Sequence, residues 1–272
     1  MKPTVMMVHG MCCTGEVWSG FREYFESRGA RVFAPTLSPE IRTSVLKKPN
    51  RALKEVSFTH YIDELLAHAR QIEAETGHKP VVIGHSMGGL LAQVLAERGA
   101  VQAAVLISPT APGGVATPLH RLVRAFIKLV TKLGVMPWVI TPDRRGAARM
   151  VFNAIPKAAH GAAYEAFVHE SGRAFTELLD WPVDHAKIKV PLLTVSARRD
   201  RLVPAVLVRL TGKRYEEIGG ELREYDAHAH WLYAEPGWET PASEIYDWLL
   251  AKTAAARVEA AHAVRHGDVV DA

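Results

Sequence analysis

The chain has 272 residues, enough for one large domain with an insertion or for two small ones. A content of 48% hydrophobic and 23% charged residues is ordinary for a globular protein, and a net charge of +4 gives no reason to expect a nucleic-acid partner. No apolar run reaches membrane-spanning length, the start at Met1-Lys2-Pro3 leaves no room for a signal-peptide core, and Cys12 and Cys13 are adjacent, so they pair only in a strained ring. These features exclude a disulfide framework and lead us to expect a cytoplasmic protein.

In chain order, Thr4 to Val8 reads as a first strand ending in His9-Gly10-Met11. Residues 15–29 read as a helix with Val17, Trp18, Phe21, Tyr24 and Phe25 on one face and Gly29 as its C-cap. Arg31 to Leu37 reads as a second strand, and a polar loop with Pro39 and Pro49 leads to a helix near 58–76. Val81 to Ile83 is a short apolar strand, followed at once by Gly84-His85-Ser86-Met87-Gly88-Gly89-Leu90. Leu90, Leu91, Val94 and Leu95 then fall at helical spacing. Ala103 to Ser108 is the next strand, with a Pro/Gly loop after it. Between about 112 and 187 there are helical patterns and turns but no convincing strand. The alternation resumes with Val190 to Ser196, a helix from Ala205, a strand at Glu221 to Asp226, and a last helix opened by Thr240-Pro241.

Strands alternating with helices at this spacing predict an α/β fold with a doubly wound, mostly parallel sheet of about six strands. A helical insertion is expected between the fourth and fifth. The reading divides the chain into a core of residues 1–111 and 188–256, a lid at 112–187 and a tail at 257–272. The tail has no apolar face to bury and is expected to be loose.

A strand that reverses into a helix at Gly84-His85-Ser86-Met87-Gly88 needs small neighbours, and its apex residue Ser86 is pushed out with its hydroxyl exposed. A serine hydroxyl becomes a nucleophile when a base takes its proton, and the base needs an acid to hold its tautomer. Asp200 lies four residues past the strand ending at Ser196, and His230 lies just past the next strand, in the order Ser, Asp, His. Read alone, Asp200 also fits a solvated carboxylate beside Arg198, Arg199 and Arg201, and His228 is a rival for the base. The oxyanion formed on attack needs fixed N–H donors, expected from the backbone of Met87 and Met11.

Four motifs carry a family resemblance: His9-Gly10 with Trp18 downstream, Gly84-His85-Ser86-Met87-Gly88-Gly89, Asp200-Arg201-Leu202-Val203-Pro204, and His230-Trp231-Leu232 leading to Glu235-Pro236-Gly237-Trp238. Together they resemble the α/β-hydrolase superfamily, of the type with a lid inserted late in the sheet, and span most of the chain apart from the lid. The two leading strands of the full eight-stranded sheet are missing. Serine at the elbow, where dehalogenase and epoxide hydrolase relatives carry aspartate, disfavours those two activities. The resemblance implies a serine hydrolase acting on a small-molecule ester with an apolar portion through an acyl-enzyme. A thioester, lactone, amide or carbon–carbon bond is the alternative, and a ligand receptor that has lost turnover is a further one.

Within the expected lid, Leu122, Phe126, Leu129 and Leu133 share one helical face, and Arg121, Arg124, Lys128 and Lys132 the opposite one. Two readings stand: the apolar face packs over the cleft with the basic face in water, or the lid contacts an anionic lipid surface. Phe126, Trp138, Phe152 and Phe167 are candidate pocket walls, and Cys12 a candidate border of the acyl site. No metal-binding or phosphate-binding motif is present, so no metal or organic cofactor is expected. The oligomeric state is not legible.

Overall fold

The computed structural model describes residues 2–134 and 138–267. Six strands form one sheet: β1 (Thr4–Val8), β2 (Arg31–Phe33), β3 (Val81–His85), β4 (Ala103–Ile107), β7 (Leu192–Ala197) and β8 (Glu221–Tyr225). Their spatial order is β2-β1-β3-β4-β7-β8, and every neighbouring pair is parallel. β1, β3 and β4 are buried at every residue, as near-continuous apolar runs require when helices cover both faces. Alternation sorts the side chains. Val5, Met7, Ile83 and Val105 join Phe21 and Phe25 of α1 (Ser19–Ser27) and Ile245, Trp248 and Leu249 of α9 (Glu239–Gly267). Met6, Val8, Val82 and Leu106 face Tyr61 and Leu65 of α2 (Phe58–Thr76) and Leu91, Val94 and Leu95 of α3 (Met87–Glu97).

The register positions everything that follows. Val8 pairs with Gly84, His85 with Ile107, and Ala197 with Tyr225, so these strands end along one edge of the sheet. Loops after β1, β3, β7 and β8 therefore converge there, where parallel sheets place their sites.

This is the α/β architecture the strand–helix alternation predicts. Local differences have local causes. β2 stops at Phe33 rather than Leu37, because Pro35 has no N–H to continue the ladder. The first helix opens with a 3₁₀ turn at Gly15–Trp18 before α1. Gly29 follows it with φ of +90°, the conformation its C-cap reading requires.

Between β4 and β7 lie α4 (Pro118–Lys132), α5 (Arg144–Met150), α6 (His160–Glu165) and α7 (Gly172–Leu178). They are joined by an antiparallel pair absent from the sequence reading, β5 (Val139–Ile140) with β6 (Glu170–Ser171). Strands of two residues are too short to leave a period-two pattern. α9 starts one residue before Thr240 and keeps its backbone helical through Gly267, into the stretch expected to be loose; residues 268–272 lie outside the described residues.

α4 is turned the opposite way from the first of its two readings. Leu122, Phe126, Leu129 and Leu133 are exposed, while Arg124 points inward, donating to Asp180 Oδ1 and the Ala111 carbonyl, both at 3.2 Å. Two polar contacts thus hold Arg124 against the protein, with Ile127 and Val130 half-buried along the same side. Arg121 and Lys132 are exposed, and the Lys128 side chain lies outside the described residues.

A Cβ built on Gly88 would stand 2.2 Å from the Val8 carbonyl oxygen, which is backbone and cannot move aside. Gly88→Ala should therefore cost about 3 kcal/mol, lowering Tm by on the order of 10 °C in a thermal melt. Gly161→Ala in α6, where nothing lies within 4 Å, should stay within about 1 kcal/mol of the parent.

Candidate active site

Ser86 sits at the junction of β3 and α3 with φ of 54° and ψ of −115°. That conformation costs on the order of 1–3 kcal/mol for a residue with a Cβ and persists only where the surroundings impose it. Here they do: its N–H donates to Ile107 O at 3.0 Å, and its carbonyl accepts from Thr110 N at 2.9 Å and Gly89 N at 3.0 Å. The turn is tight enough that a Cβ on Gly84 would lie 2.1 Å from Gly88 O. Met87 is the first residue of α3, so its N–H has no acceptor within the helix.

Asp200 and His230 meet across the edge of the sheet. His230 Nδ1 is 2.8 Å from Asp200 Oδ2, and both side chains are almost wholly buried. The other carboxylate oxygen accepts from the N–H groups of Leu202 and Val203, both at 2.8 Å. With Nδ1–H committed to the carboxylate, Nε2 is the basic nitrogen of the imidazole. His85, between Gly84 and Ser86, donates Nε2–H to the His230 carbonyl at 2.8 Å, its ring centroid 4.5 Å from that of His230. Burial, with His230 adding to it, holds the His85 pKa well below the usual histidine range, so His85 acts as a neutral strut.

His228, the rival base, faces elsewhere. Its Nδ1 stands 3.4 Å from Glu235 Oε2, close enough for charge to matter but too misaligned for a hydrogen bond. Glu235 itself accepts from the N–H of Ala229 at 2.7 Å and of Trp231 at 3.1 Å, the two residues flanking His230. Burial raises its pKa, outweighing those two amides and His228. The sequence reading named Glu235 as part of a motif but gave it no task; its partners are backbone groups, which leave no trace in residue identity.

The loop after β1 is fixed just as fully. Leu37 N–H donates to His9 Nε2 at 3.1 Å, so the proton is on His9 Nδ1, which donates to Gly10 O at 2.8 Å. Burial and then the charge of Arg42 push the His9 pKa down to about 3, keeping it neutral. With the Gly10 carbonyl pinned, the N–H of the same trans peptide, that of Met11, is turned the opposite way. Cys12 follows with φ of 59°; its N–H donates to Glu170 Oε2 at 3.3 Å and its carbonyl accepts from Val168 N at 2.9 Å.

Glu170 is fully buried and receives both guanidinium nitrogens of Arg42, at 3.0 and 3.3 Å, with the Tyr61 hydroxyl. Burial alone would raise its pKa; Arg42 and then Tyr61 outweigh that and hold the carboxyl below the usual range. Neither Arg42 nor Glu170 is singled out by the sequence, and Tyr61 reads there only as one of the in-register residues of the helix near 58–76. Arg42 and Glu170 lie 128 residues apart, and no motif links them.

Ser86, His230, Met11 and Gly10 line a cavity of about 250 Å³ whose remaining wall is largely apolar, including Phe167, Phe175, Leu178 and Trp231. A second apolar cavity of about 280 Å³ shares Met11, Val151, Phe167, Phe175 and Leu202 with it. Cys12 borders this second cavity, its thiol pKa pushed up by burial, while Cys13 borders the first. Of the four aromatic candidates only Phe167 lines the cavity. Phe152 is buried behind it, its ring centroid 5.3 Å from that of Phe167 and 4.9 Å from that of Trp231. Phe126 points into solvent, and Trp138 lines a separate cleft beside Thr131 and Gly172. Among the described residues no cluster of three or more His, Cys, Asp or Glu side chains is placed to hold a metal ion.

The sequence profile of the Alpha/beta hydrolase family matches residues 5–248. No curated protein sequence matches the chain significantly. Among solved structures, a methylesterase from Arabidopsis superposes with a TM-score of 0.69 at 14% identity, covering 93% of this chain and 99% of its own. A monoacylglycerol lipase from Paleococcus ferrophilus gives 0.67 at 19% identity over 92% and 94% of the two chains. Tomato methylketone synthase I, complexed with 2-tridecanone, gives 0.68 at 16% over 93% and 99%. At these identities the likeness is one of fold.

The buried Arg42–Glu170 pair makes a pH-dependent prediction. A depressed carboxyl pKa adds stability at neutral pH that is lost as pH falls through the carboxylate range. Arg42→Met should cost about 3–5 kcal/mol at pH 7 in urea unfolding, because it strands a buried carboxylate. The gap to the parent should narrow on acidification, as the stranded carboxyl protonates. Pairing the change with Glu170→Leu should recover the part due to the stranded charge and leave the cost of the Cys12 and Ser171 amides and the Tyr61 hydroxyl, which lose their acceptor.

Proposed function

Because this chain belongs to the Alpha/beta hydrolase family, we propose that it is a serine hydrolase cleaving a carboxylic ester with an apolar portion through an acyl-enzyme intermediate. The observation that carries this reading is the buried Asp200–His230 pair beside a strained Ser86 on one apolar cavity.

Ser86 Oγ attacks the acyl carbon as His230 Nε2 takes its proton, and Asp200 keeps the imidazole in the tautomer that can do so. Negative charge then develops on the carbonyl oxygen. The Met87 N–H, left over at a helix start, and the Met11 N–H, aimed by the His9–Gly10 bond, receive it. Collapse expels the alcohol, protonated by His230, and leaves an acyl group on Ser86. Water, deprotonated by His230, then attacks that ester and releases the acid.

The cavity's apolar wall supports a hydrophobic substituent, and the adjoining chamber gives a second arm room beyond Met11. The insertion acts as a lid: His120, Val123 and Arg124 of α4 together with Phe167 and Phe175 contribute walls. Ester-cleaving names among the fold neighbours, a methylesterase and a monoacylglycerol lipase, support the same bond type. The two free, buried cysteines support a cytoplasmic home.

The test is fluorophosphonate labelling of the parent and Ser86→Ala, with turnover of p-nitrophenyl acetate, butyrate and octanoate. The parent should be labelled and active, and the variant should lose labelling and about 10⁶-fold in kcat. Parent-like turnover in Ser86→Ala would end the proposal. Labelling without ester turnover would retain the nucleophile and reject the ester.

A further inference from the structure

α4 turns its broadest apolar stripe outward. Its protein-facing side is mixed: Arg124 reaches Asp180 and the Ala111 carbonyl, Val123 lines the Ser86 cavity, and Ile127 and Val130 are half-buried. Its apolar residues Leu119, Leu122, Phe126, Leu129 and Leu133 recur at intervals of three and four, and thus form one stripe. All five are exposed, Leu122 by 68% and Phe126 by 62%. Trp138, just beyond the helix, is 44% exposed.

The charge around the stripe selects its occupant. No Asp or Glu occurs between Glu97 and Asp143. Arg121 and Lys132 are exposed on α4, and neither has an ion-pair partner among the described residues. A second copy of the chain seated on this face would bring those cations together with no acidic residue on either helix to offset them. An anionic lipid surface offers both halves of the complement, acyl chains for the leucines and phenylalanine and headgroups for the cations.

We infer that α4 is an interfacial helix that seats the protein on an anionic lipid surface. The seat lies on the roof of the Ser86 cavity, since His120, Val123 and Arg124 of the same helix line it. The inference does not depend on what the cavity catalyses, because its readout is partition rather than turnover.

The experiment is flotation of the full chain with phosphatidylcholine vesicles, with and without a minority of phosphatidylglycerol, at low and high salt. The parent should float with the anionic vesicles, less at high salt, and weakly with phosphatidylcholine alone. Leu122→Ser/Leu129→Ser should cut the partition at least tenfold while leaving Tm near the parent value, since both side chains are already in water. Arg121→Gln/Lys132→Gln should cut it about fivefold per cation, on anionic vesicles only. A parent that stays in the aqueous fraction, or a serine variant that partitions unchanged, overturns the inference. So does a dimer in light scattering that the serine variant abolishes, which would make a second copy the occupant.

Discussion

The backbone of Ser86 is the constraint on which the site depends. A residue with a Cβ does not rest at φ of 54° unless something holds it there, and here the sheet and helix do so from both sides of the peptide. Ile107 takes its N–H, the loop after β4 and the first turn of α3 take its carbonyl, and the glycines on either side let strand and helix approach within backbone contact. The hydroxyl is thereby presented by the sheet rather than by a loop, and it stays put while the loops around it carry the other groups.

Those other groups are held by buried carboxylates that bind backbone. Glu235 holds the amides on both sides of His230, and Glu170 holds the amide of Cys12 beside the β1 loop. The two braces differ in charge balance. Glu170 is matched by an arginine and stays ionised, whereas Glu235 has only amides and a histidine near it, and burial moves it toward the neutral form. Neutral histidines complete the frame: His9 aims a peptide and His85 props the chain at His230. Polar groups buried this deeply specify one geometry because any other leaves them without partners.

Much of this was legible in the sequence, and for identifiable reasons. The strand–glycine–serine–glycine–helix passage is local, and the order of Ser86, Asp200 and His230 follows from strands that end on one edge. His228 was a fair rival because side-chain spacing along a strand does not say which of two histidines meets Asp200; the Glu235 brace settles the loop's path. Arg42 and Glu170 were invisible because their meeting depends on how the insertion folds back. α4 shows the same limit in another form. Its periodicity defines a face, but Asp180 and the Ala111 carbonyl decide which way that face turns. Phe152 and Phe167 were equal as aromatics, and packing alone put one in the wall and the other behind it.

The double attachment of Cys12 has a consequence for re-engineering the insertion. Its N–H and its carbonyl both end on residues 168–170, so a stretch of the insertion is sewn to the loop that aims the Met11 amide. Exchanging the whole insertion for another would remove both stitches at once, whereas changes confined to α4 to α6 leave them in place. The segment around β6 is tied to the core by hydrogen bonds even though it lies outside it in sequence. Recombination that respects this boundary can change what enters the cavity without loosening the frame beneath it.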